Sequence, residues 1–90
     1  MQTATMNTYY THGEVDYNGL SIHKYEDQES AVAGCIDQMK KAKAQGYTVT
    51  DQAIIRVDTH TIRDEFCVLL TQETRTTVEV VNKNCAEGGN

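Results

Sequence analysis

His12, Glu14 and His23 are the residues whose types and spacing come nearest to a chemical site. They fall in THGEVDYNGLSIH, residues 11–23, on either side of Asn18-Gly19. Asn-Gly is the strongest short signal for a two-residue hairpin loop, because a type I′ turn needs positive φ at both central positions. Such a turn sets Tyr17 against Leu20, Val15 against Ile22 and Glu14 against His23, with His12 beside them on the same face. Two imidazoles and a carboxylate form a donor set that a divalent metal accepts. A carboxylate beside an imidazole also favours its charged form near neutral pH. The same pattern describes a plain hairpin, with Val15, Tyr17, Leu20 and Ile22 turned to a core and His12, Glu14 and Asp16 turned to water. The solvated hairpin is the expectation, and a small metal-binding domain or enzyme using His12, Glu14 and His23 is the alternative.

The other reactive side chains are accounted for by packing or by the ends of elements. Cys35, Cys67 and Cys85 are odd in number and form no CxxC, which suits a reduced, cytoplasmic setting better than a disulfide framework. Cys35 falls in an apolar helical stripe. Cys67 lies mid-strand with no histidine within obvious reach, and a nucleophile needs a positioned base. Lys40, Lys41 and Lys43 crowd a helix C-terminus, where the dipole favours them, without the interleaved aromatics of a single-strand binder. Phosphate-loop, dinucleotide, serine-hydrolase and zincin motifs do not occur in the sequence. Neither a catalytic role nor a cofactor is expected, and a net charge of −5 disfavours direct contact with nucleic acid.

The elements that must hold these residues begin with a helix. EDQESAVAGCIDQMKKAKAQG places Val32, Cys35, Ile36, Met39 and Ala42 on one stripe at helical spacing. Asp27 is the N-cap candidate and Gly46 the stop, so the helix should cover 28–45. Gly34 inside it costs up to about 1 kcal/mol unless a neighbour needs close approach there. Around the helix the chain reads as strand: the first hairpin, then AIIRVDTH, then EFCVLLTQ and RTTVEVV joined through a Gln72-Glu73-Thr74 loop that sets Phe66 against Val80 and Val68 against Val78. The expected fold is α+β: an antiparallel sheet of about five strands in the order β-β-α-β-β-β, with one long helix packed on one face. Residues 1–81 should make a single domain and 82–90 a flexible tail.

Ninety residues suffice for one modest core. The first five residues lack the basic and apolar regions of a secretory leader, and no apolar run approaches the roughly 20 residues of a membrane span. Hydrophobic residues at 39% place the chain among ordinary globular proteins rather than disordered ones. Two features point outward. Tyr9, Tyr10, Tyr17 and Tyr25 gather on or beside the first hairpin, and tyrosine is a residue that binding surfaces favour. The second face of the sheet, carrying Cys67, Leu69 and Val81 with Ile54, is half apolar where it should be polar, which suits a protein partner or a homodimer.

In size, acidity and β-β-α-β-β-β layout the chain resembles the small single-domain inhibitors made by phages and mobile elements, anti-CRISPR proteins among them. The resemblance covers the whole chain and rests on general character, with no shared motif. It implies a protein-binding inhibitor that docks on a host protein or nucleoprotein complex and competes with nucleic acid through acidic groups. Glu14, Asp16, Asp58, Asp64 and Glu65 are then the first contact candidates, with Tyr10, Tyr25 and Leu69 added by the aromatic and apolar surfaces.

Overall fold

The computed structural model describes residues 3–15, 21–64, 66 and 69–86. Its elements are β1 (Thr3–Glu14), α1 (Gln28–Ala44), β2 (Gln52–Arg63), β3 (Leu69–Val81) and a short 3-10 helix (Lys83–Ala86). The class is α+β as expected, but the sheet has three strands rather than five, in the order β1-β2-β3 and antiparallel throughout. The molecule is long, 57 × 21 × 18 Å, because each strand runs 12 or 13 residues while the helix covers only one end.

The helix forms where the sequence places it. Asp27 Oδ1 accepts the Ser30 N–H at 2.7 Å, which satisfies a first-turn donor and holds the Asp27 carboxyl below its ordinary range. Gly46 terminates the helix at φ 87°, a conformation that costs glycine nothing. The buried stripe is Ala31, Cys35 and Met39, with Val32 and Ile36 at its margin. Opposite it lie Ile54 and Val81, and Ala86 of the 3-10 helix closes the same cluster. Residues 83–86, expected in a flexible tail, are thus tied to the core, with Lys83 N–H also donating to Asp51 Oδ1 at 2.7 Å.

Two strand expectations are corrected. The loop expected at Gln72-Glu73-Thr74 is straight strand, where these residues pair with His60, Thr59 and Asp58. The run TQETRTT offers three β-branched threonines and a fourth at its end, with no glycine, asparagine or proline to turn it. β2 instead ends at Arg63 and β3 begins at Leu69, and between them Asp64 Oδ1 accepts the Phe66 N–H at 2.9 Å. The second correction concerns the strand expected after Asn18-Gly19. Residues 16–20, and with them the turn, lie outside the described residues. Beyond them the chain returns along the outer edge of β1, where among the described residues it makes one bridge, Tyr10 to Tyr25, through two 2.8 Å backbone hydrogen bonds, and Ser21 N–H donates to the His12 carbonyl at 2.8 Å.

That bridge also shifts the pairing by two residues from the one the turn predicts, and the His12 ring lies between those of Tyr25 and His23, with centroids 5.8 and 6.3 Å away. The faces are inverted as well. Ile22 is 90% exposed and Val15 is also exposed, whereas His12 is buried and Tyr10 packs against the core. Physically, the helix presents small residues to the sheet (Ala31, Gly34, Cys35), and large rings fill the space beneath them. A methyl group on Gly34 would overlap the Tyr25 hydroxyl and ring, so this glycine is the point of close approach.

Candidate protein-binding surface

The sheet has a covered end and a bare end. At the covered end α1 lies over His12, Ile54 and Val81, while Thr11, Ala53 and Val57 are buried on the reverse face. Thr11 Oγ1 donates to the His23 carbonyl at 2.8 Å, with the Ser21 carbonyl a second acceptor at 3.2 Å. Beyond Thr8, Asp58 and Thr74 the three strands continue as an arm. There β1 residues 4–8 and all of β3 from Leu69 to Thr77 are exposed.

The register sorts the arm into two unlike faces. On the helix side, successive rows are Ala4–Ile62–Leu70, Met6–His60–Gln72 and Thr8–Asp58–Thr74. On the reverse side they are Thr5–Thr61–Thr71, Asn7–Thr59–Glu73 and Tyr9–Val57–Arg75. The first face carries the apolar strip Ala4, Met6, Ile62 and Leu70, and Phe66 follows in the β2–β3 connection. Met6 is 70%, Leu70 64% and Phe66 78% exposed. Its charges are few: Asp58 already accepts from Thr8 Oγ1 at 2.7 Å and Arg56 Nε at 3.2 Å, leaving His60 as the one further titratable group in these rows. The reverse face is threonine-rich, with Glu73 and Arg75 near one another at 3.6 Å.

The candidates from the sequence are scattered by this fold. His12 and His23 do meet, with stacked rings at 6.3 Å, and His12 Nε2 lies 3.4 Å from Tyr25 Oη. Burial, reinforced by His23, lowers the His12 pKa from its ordinary value. Burial, then Cys35 and Asp37, raises that of Tyr25. Exposed Glu14 and buried His12 line a cavity of about 250 Å³ with Cys35, Met39 and Val49. Among the described residues, however, no three His, Cys, Asp or Glu side chains are grouped so as to hold a metal ion. Cys35 is a packing group: burial pushes its thiol up to about 11, and Sγ donates to Met39 Sδ at 3.8 Å.

Asp58 and Asp64 are engaged in holding the arm and its turn, while Asp16 and Glu65 lie outside the described residues, as do Tyr17 and Cys67. Leu69 is exposed but does not share a face with Val81 and Ile54, which are core. The cause is a bulge at Val78: Ile54 pairs with Glu79 but Ile55 with Thr77, and the extra residue swaps the faces of β3 on either side. The apolar strip Ala4, Met6, Ile62, Leu70 was not expected, although the four threonines of 71–77, with no turn residue among them, were the signal that the strand continues there.

Fold and surface together define a three-stranded antiparallel α+β protein with one helix and a projecting sheet arm. No family model, no curated protein and no solved structure matches this chain. No helix among the described residues is long and apolar enough to cross a membrane.

Proposed function

We propose that this chain is a small protein-binding module that acts by occupying a partner's surface, and that the helix-side face of the arm is the contact. The observation that carries this reading is the strip Ala4, Met6, Ile62 and Leu70 together with Phe66, in which Met6, Leu70 and Phe66 are largely exposed and Ile62 is half-buried. An apolar patch with a polar border is what interaction sites use. Here the border is supplied by Gln72, Thr8 and Asp58 on the same face. The overall charge of −5 suits a basic partner surface, as in the nucleic-acid-binding complexes that the inhibitors it resembles engage, and this chain would act in the same way.

The test is quantitative binding to a partner recovered by cross-linking. Met6→Asp and Phe66→Asp should each weaken it about 30-fold or more, the loss expected when a buried anchor is removed from the centre of an interface. Tyr47→Ala, an exposed site at the covered end, should leave binding unchanged. Normal binding by both arm variants would end the proposal.

A further inference from the structure

The outer edge of β3 is a second surface, independent of the apolar strip. β3 runs from Leu69 to Val81, and among the described residues no strand lies beside its outer edge. The outer edge of β1 is different: it is bridged to Tyr25 at Tyr10. A long, unbroken strand edge is a template for another strand. The order of side chains along β3 selects which strand fits.

We propose that β3 pairs antiparallel with β3 of a second copy of this chain, about a two-fold axis through Thr74. In that register Glu73 faces Arg75 of the other copy and Arg75 faces its Glu73. Gln72 then faces Thr76, Thr71 faces Thr77 and Leu70 faces Val78. Opposite charges directly across a strand pair stabilise it, and like charges oppose it. A slip of two residues in either direction sets Glu73 against Glu73 or Arg75 against Arg75. A slip of one puts the two helices on opposite faces and mismatches every row. The register therefore follows from two charges, and the bulge at Val78 marks where the ladder ends.

The product is a continuous six-stranded sheet with both helices on one face, closed by its own symmetry so that it does not propagate. Pairing residues 70–78 of two copies buries on the order of 1,000 Å², the lower limit for a specific interface, so the dimer should form at micromolar rather than nanomolar concentration.

Sedimentation equilibrium across micromolar to millimolar protein tests this. The natural chain should pass from monomer to dimer. Glu73→Arg alone and Arg75→Glu alone should each weaken the dimer about tenfold or more, because symmetry puts each substitution in the interface twice. The double variant should recover it, and an equimolar mixture of the two single variants should form a heterodimer tighter than either homodimer. In a Cys67→Ser/Cys85→Ser background, Thr74→Cys should oxidise to a covalent dimer, since residues facing across a strand pair lie within disulfide reach. A monomer at every concentration overturns the proposal. So does a dimer indifferent to both charge reversals, which would place the contact elsewhere. Met6→Asp and Phe66→Asp lie on β1 and the loop, so loss of partner binding and loss of self-pairing are separable.

Discussion

The same three strands run through the covered end and the arm, and what differs is only what lies on their faces. At the covered end Ala31, Cys35 and Met39 press on Ile54 and Val81 from one side, and Thr11, Ala53 and Val57 are shielded on the other. In the arm the backbone ladder continues without the bulge found at Val78, yet both faces are open. Hydrogen bonds exchanged with water contribute little net stability, whereas buried apolar area contributes much. The covered end is therefore where folding free energy is concentrated. The arm is a paired but coreless extension whose apolar strip is available to something else.

Four measurements sharpen or break this contrast. Ile54→Ala, in the completely buried centre, should cost about 3 kcal/mol in urea unfolding followed by circular dichroism. Gly34→Ala should cost about 2 kcal/mol, because the added methyl overpacks against Tyr25. In a Tyr25→Ala background the same change should turn neutral or favourable through helix propensity. A penalty that persists without the Tyr25 ring would show that the helix does not seat on it.

Smaller is the pH effect. His12 is held below its ordinary value of 6.5 by burial and by His23, so the unfolded chain takes up the proton first. Stability is then full above about pH 6.5 and declines as pH falls through that value toward the lowered one. His12→Gln should flatten the slope between pH 7.5 and 5, and His23→Ala should reduce it. Last, Leu70→Ser in the arm should change stability by no more than about 0.5 kcal/mol. A loss approaching that of Ile54→Ala would mean that the arm carries a core after all.

How much of this was legible in the sequence depends on the range of the signal. Asp27, the apolar stripe and Gly46 act within a few residues of one another, and the helix they specify is present with its cap and stop. Even the flaw at Gly34 carried its own condition, a neighbour in close approach, and Tyr25 meets it. The faces of β1 were misread because alternation says which residues share a face, not which face is covered. Val15 and Ile22 are the more hydrophobic by type, but Tyr10, His12 and Tyr25 have the ring area to fill the space under a helix of small residues. The strand count failed at Gln72-Glu73-Thr74, where polar side chains look like a loop while the backbone preference of the threonines is for strand. His12 and His23 were rightly placed near one another, but Glu14 belongs to a different register from the one the turn suggested. The arm could not be read locally at all, since whether a strand is covered depends on where the helix stops.

The connection between β1 and β2 has a consequence in time. β2 and β3 are joined through residues 64–68, whereas β1 reaches β2 only across residues 15–51. Closing the longer loop costs about 2 kcal/mol more in chain entropy. The β2–β3 hairpin and the helix can therefore form early, and β1 docks last. The strand that contributes Tyr10, Thr11 and His12 to the covered end is thus the one whose docking carries the larger entropic cost.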